Sequence, residues 1–226
     1  MLAAFLLTSV APSRVARGAD TTEFWPEFNA FVRLEPRTRL YFVTAYAKGK
    51  ESPNRTVDMA GYVDLSFMPI GRPVRGQEDW ARNRYLWTRV GYDHVFEAEG
   101  QVRTPSEDRG ILSIYAKDEL PGGVWLEGRV REDLRWIDGE FSTRDRLRGE
   151  ATREFSLYRH PVTPYLNAEW FYDHRYDGWS RILVMAGTEI TASERLRFEA
   201  YLARQKELLP KESALNALGV LVKLYY

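Results

Sequence analysis

Apolar and other residues alternate with period two over unusually long runs of this chain. The segment TVDMAGYVDLSFMP sets Val57, Met59, Gly61, Val63, Leu65 and Phe67 on one side. Asp58, Ala60, Tyr62, Asp64 and Ser66 fall on the other. Successive side chains of a strand point to opposite faces, so this pattern belongs to β structure. An ordinary strand has about five or six residues, whereas a tilted strand that crosses a bilayer needs about 9–11. Several runs here reach the longer class.

The same rhythm recurs in FNAFVRL, LYFVTAYAK, RYLWTRVGYDHVF, GILSIYAKDE, GVWLEGRVREDLRW, FSTRDRLRGEATRE, PYLNAEWFYD, SRILVMAGTEI, LRFEAYLARQ and the terminal ALGVLVKLYY. Turn signals separate the runs: Pro36, LPGG, IDGE, DHRYDGWS and TASE. One stretch, RQKELLPKESALNAL, reads as a helix interrupted by Pro210. The expected fold is all-β, a closed up-and-down antiparallel barrel of the outer-membrane type. Eleven segments are visible, but an exported barrel with both termini on one side needs an even number. The expectation is therefore about 12 strands, with 10 next, the extra strand coming from EAEGQVR or PVRGQEDW.

Alternation alone does not say which face points inward. Composition helps. Of 32 basic residues, 26 are Arg and only 6 are Lys. Arg makes planar multidentate ion pairs suited to crowded places, and Lys suits a freely hydrated surface. Arg129, Arg131 and Arg135 alternate with Glu127 and Asp133 on one segment. Arg144, Arg146, Arg148 and Glu150 share a face of the next, and Glu169 sits on a later one. These ten residues are the expected interior charge lattice, with opposite charges laddered across strands. Trp25, Trp80, Trp87, Trp136, Trp170, Trp179, Tyr172 and Tyr226 lie mostly near segment ends, as in aromatic girdles. Val220, Val222, Leu224 and Tyr226 have the form of the C-terminal assembly signal of outer-membrane barrels, which usually ends in Phe.

Leu2 to Ala11 is a short apolar run followed by small residues, the pattern of a secretory signal. No Lys or Arg precedes it. The expected division is a signal peptide over 1–18 and a single barrel domain over 19–226. There is no Cys, hence no disulfide framework. Acidic and basic residues balance at 32 each, which gives no electrostatic footprint for nucleic acid. Three dispersed histidines, His94, His160 and His174, make no metal-ligand spacing, and no hydrolase or phosphate-loop motif appears. His174 and Ser180 share one loop and are the candidate pair for a hydrolase.

The stretches FWPEFNAFVRL, GRVREDLRWIDGEFSTRDRLR, PYLNAEWFYD and LRFEAYLARQ together resemble the bacterial domain-of-unknown-function 2490 family, from about Phe24 to Tyr226. Trp25-Pro26-Glu27 and Arg135-Trp136 carry most of the likeness. Asp145 departs from it, since an aromatic is expected between the two arginines. The resemblance implies an outer-membrane β-barrel and supplies no reaction. The leading expectation is non-enzymatic: a structural barrel or narrow passive pore, with no cofactor, no metal and no catalytic residue. Its expected partners are outer-membrane lipids and the barrel-assembly machinery. The alternatives are an outer-membrane lipid or lipopolysaccharide hydrolase, and a soluble periplasmic barrel that holds an apolar ligand.

Overall fold

The computed structural model describes residues 21–49, 55–67, 86–99, 106–158 and 160–226. The signal-peptide expectation, Trp80 and PVRGQEDW lie outside the described residues. The strands are β1 (Thr21–Glu35), β2 (Thr38–Gly49), β3 (Arg55–Ser66), β4 (Leu86–Glu99), β5 (Glu107–Leu120) and β6 (Val124–Ile137). They continue as β7 (Glu140–Arg153), β8 (Phe155–Leu157), β9 (His160–Asp173), β10 (Gly178–Thr191), β11 (Leu196–Glu207) and β12 (Ser213–Tyr225). The order is β10-β11-β12-β1-β2-β3-β4-β5-β6-β7-β9, and β9 pairs β10 to close the ring.

Twelve strands are present among the described residues, but the wall has eleven. β8 is three residues long and keeps β7's register against β9: Thr152 faces Tyr165, and Phe155 faces Val162. The two are one line broken around Glu154. The break falls where Pro164, which has no N–H to donate, would stand opposite Arg153. The even number expected for the wall is thus corrected. Of the two candidates for an extra strand, Glu97–Glu99 simply extend β4.

An odd wall makes its first and last strands run the same way. β1 and β12 pair in parallel, from Thr21 with Leu215 to Phe31 with Tyr225. The seam is knit to its end. Tyr226 N donates to Phe31 O, and Arg33 N to Tyr226 O, both at 2.8 Å. Phe31 and Tyr225 stack inside it at 4.7 Å.

The turns fall where Gly, Pro and Asp suggested. β6 and β7 meet through Asp138-Gly139, both at positive φ (50° and 90°), the two-residue hairpin that this dipeptide favours. No helix occurs among the described residues. The expected one resolves into the end of β11, a turn over 208–212 and the start of β12. Period two continues through Leu215, Ala217, Gly219 and Leu221, and Leu208 N donates to Ser180 O at 2.8 Å to tether the turn.

The distribution of side chains is inverted relative to a water-soluble domain. Asp64 and Asp133 are inside and fully buried, at 0% exposure. Leu202 and Val130 point outward, at 66% and 60%. Phe28, Phe42, Met59, Leu112, Leu147 and Leu218 are also outward and exposed.

One patch of the interior is apolar. Tyr201, Ala203, Ala217 and Leu221 are buried together, with Trp25, Tyr165 and Met185 against them. Tyr201 on β11 stands directly between Gly187 on β10 and Gly219 on β12. A Cβ at Gly219 would fall inside the Tyr201 ring, and one at Gly187 would lie 2.6 Å from the Tyr201 Cβ. Gly219 is required because the Tyr201 ring lies on its backbone, and Gly187 because the Tyr201 Cβ and the Tyr165 hydroxyl close in on it.

The aromatic girdle is only partly realised. Trp136, Trp170, Trp179 and Tyr226 are outward and exposed, but Trp87 is 5% exposed and stacks inside on Tyr115 at 4.6 Å. Trp25 also turns inward, where its Nε1 donates to Glu23 at 2.6 Å. Both obey the period of their own strands, which closeness to a segment end does not reveal.

Candidate functional site: a charged interior and its chamber

Call the rim where β1 begins the first rim, and that where β1 ends the second. Toward the first rim the interior is filled by ion pairs. Arg135 joins Glu107 and Asp173, reaching Asp173 Oδ2 at 2.7 Å. Arg109 binds Glu107 at 2.8 Å and Asp93 at 3.1 Å. Arg181 binds Glu207 at 2.6 Å. At the 174–177 turn Arg175 donates to Asp173 at 2.8 Å, and this raises the Arg175 pKa above its ordinary value.

Toward the second rim the interior opens into a chamber of about 1080 Å³, which reaches the exposed Glu119 and Glu154. Arg39 and Arg89 clamp Asp64 from both sides, with Nη2 and Nε respectively at 2.7 Å. Arg89 lies 4.1 Å from the Tyr41 ring centre, and Arg39 lies 4.4 Å from that of Phe31. Tyr225, Phe31, Tyr41 and Tyr62 stack in sequence across four adjacent strands. Lys223 bridges Glu189 and Glu199, at 2.7 and 2.5 Å. Sequence reasoning did not single out the Asp64 clamp or the Lys223 bridge. Their members lie one per strand on three consecutive strands, β2–β4 and β10–β12, so no local run of charge marks them.

The ten expected lattice residues all point inward. Glu127, Arg129, Arg131, Arg146, Arg148 and Glu150 line the chamber. Asp133, Arg135, Arg144 and Glu169 are buried around it. The expected ladder of opposite charges holds between β7 and β9, where Arg148 stands opposite Glu169 and Arg144 opposite Asp173, and is corrected by the register between β6 and β7. Arg129 stands opposite Arg148, Arg131 opposite Arg146, and Glu127 opposite Glu150; among these rows only Asp133 opposite Arg144 joins unlike charges. Neutralisation comes diagonally or from a third strand. Glu169 on β9 takes Arg129 at 2.5 Å and Arg146 at 2.6 Å. Asp133 takes Arg131, and Arg144 at 2.7 Å. Glu127 takes Arg148 at 2.8 Å.

Val220, Val222 and Leu224 form the outward side of β12, with Tyr226 exposed just past its end, and Leu221, Lys223 and Tyr225 form the inward side. The candidate hydrolase pair does not assemble. Ser180 is buried and inward, and its hydroxyl donates to Phe171 O at 3.3 Å. His174 is outward, with Nε2 2.9 Å from Asp145 Oδ2. A bulge at Ser180, between Trp179 and Arg181, turns its side chain away from the loop's outer face. Asp145, the departure from the family pattern, thus has a partner. His94 Nδ1 similarly lies 2.6 Å from Asp108 Oδ1. No group of three or more His, Cys, Asp or Glu suited to a metal occurs among the described residues. Compared with known proteins, the chain matches no family model, no curated protein and no solved structure.

Proposed function

We propose that this chain is a membrane-spanning β-barrel of the outer-membrane type, a structural barrel whose interior is closed toward the first rim. The observation that carries this reading is the inversion of its faces. Large apolar side chains cover the outside, while carboxylates and guanidinium groups are buried inside. Water would penalise the first arrangement, and an apolar solvent favours it. Strands of 12–15 residues in the wall match the span of a bilayer. The resemblance to the domain-of-unknown-function 2490 family, the N-terminal apolar run and the terminal aromatic pattern support export to a Gram-negative outer membrane through the barrel-assembly machinery.

Two measurements test this. In the membrane fraction the unheated protein should migrate on a gel as a compact form that boiling converts to a slower one. Recovery in the soluble extract would overturn the membrane reading. Refolded into a planar bilayer, the barrel should give no long-lived conductance steps. Steady unitary steps would replace the closed barrel with a narrow pore. The enzymatic alternative loses its pair, because Ser180 and His174 face opposite sides of the wall. The apolar-ligand alternative loses its cavity lining, because the chamber is built from Arg, Glu and Tyr as much as from apolar residues.

A further inference from the structure

The register that sets arginine against arginine on β6 and β7 leaves a local excess of positive charge. Five guanidinium groups, Arg129, Arg131, Arg144, Arg146 and Arg148, share three carboxylates, Glu127, Asp133 and Glu169. Two flanking carboxylates add negative charge without bonding the free nitrogens: Glu150, close enough to act on Arg148, accepts from Asn167 at 3.3 Å, and Asp93 accepts from Arg109 at 3.1 Å. Among the described residues, three nitrogens, Arg129 Nε, Arg131 Nη2 and Arg148 Nε, have no hydrogen-bond acceptor, and Asp93 Oδ1 has no donor. Asp93 comes no nearer to Arg131 Nη2 than 3.9 Å. Arg129 and Arg131 are only 7% and 9% exposed, and all three residues line the chamber. A buried charged donor without an acceptor is costly, and an incoming acceptor recovers that cost.

We infer that the chamber floor is a binding site for a small oxyanion, of the phosphate, sulfate or carboxylate class, held by Arg129, Arg131 and Arg148. A guanidinium fork matches the paired oxygens of such anions. The occupant is a free solute rather than a lipid headgroup. Between the chamber and the outer face the wall is a continuous hydrogen-bonded sheet through β6, β7 and β9, and the chamber extends to the second rim. The site depends on the interior alone and stands whether or not the outer face meets lipid.

The test uses the full chain refolded in detergent, titrated with sodium phosphate, sodium sulfate, or sodium chloride at equal ionic strength. Heat binding is read by calorimetry, and stability by the temperature at which the compact gel form is lost. Phosphate and sulfate should bind saturably and raise that temperature, and chloride should not. Arg129→Gln and Arg148→Gln should each weaken phosphate binding about tenfold, while His174→Ala, on the outer face beside Asp145, should leave it intact. Should the arginine variants fail to fold, Glu127→Gln frees Arg148 further and should tighten phosphate binding. Equal effects of all three salts, wild-type affinity in both arginine variants, or unchanged affinity in Glu127→Gln would each overturn the site. So would protection by phosphatidylglycerol vesicles with no effect of free phosphate. Flotation with lipid vesicles, run on the same sample, separates the two readings. Phosphate binding without flotation sinks the membrane reading and leaves the anion site standing.

Discussion

The β6–β7–β9 wall and the β10–β11–β12 wall fill the same interior in different proportions of charge and aromatic volume. The first packs guanidinium groups and carboxylates against each other, with Asp133 fully buried among Arg131, Arg144 and Arg146. The second seats the Tyr201 ring on Gly219, with its Cβ against Gly187, below a single Glu189–Lys223–Glu199 bridge. The contrast teaches that interior polarity is not uniform in this barrel. Volume can be filled by charge only where each charge has a partner, and a ring can lie flat on a neighbouring strand's backbone only where that strand lacks a Cβ atom. Outside, the two walls are alike: Val130 and Leu202 are comparably exposed.

The sharpest way to break this comparison is Asp133→Asn. It removes the carboxylate shared by three arginines and should cost about 3–5 kcal/mol, the range for breaking a buried pair. The compact gel form should then be lost at a clearly lower temperature; unchanged heat resistance would mean that the charged wall does not depend on pairing. Next comes the shared exterior. Leu202→Lys and Val130→Lys should each cost about 2–4 kcal/mol of stability in lipid vesicles if these positions sit near the bilayer midplane, and much less in detergent. A penalty confined to one wall would show that only part of the surface meets lipid.

Gly219→Ala probes the aromatic wall. The added methyl displaces the Tyr201 ring and should cost about 1–3 kcal/mol. The double variant with Tyr201→Ala should recover part of that loss, and strict additivity would argue against the ring–glycine fit. The smallest effect belongs to the outward His174–Asp145 pair, whose side chains are half exposed. His174→Ala should change stability by about 0–1 kcal/mol. A larger loss would make this pair part of the wall's framework.

Much of the wall was legible in the chain, because period two survives wherever one face must differ from the other. Alternation gathers the ten lattice residues on one side of their strands, where they are buried or line the chamber, and sets Val220, Val222, Leu224 and Tyr226 at alternate positions. Legibility failed wherever partners are distant. Alternation within β6 and β7 shows that both present arginines inward, but not that Arg129 would meet Arg148. That pairing is set by the Asp138-Gly139 turn, and a one-residue shift would have changed every row. Trp25 and Trp87 were misread for a similar reason: nearness to a segment end says nothing about the face.

By itself the sequence determined strand content, turn positions and the two-sidedness of the wall, since these follow from local backbone geometry and side-chain period. The tertiary structure alone decided the rest. Closing the ring set eleven lines with a parallel seam between β1 and β12, and brought Glu169 from β9 to the arginines of β6 and β7. Closure also divided the interior into a filled part and a chamber. These outcomes depend on register and closure, which couple residues far apart in the chain.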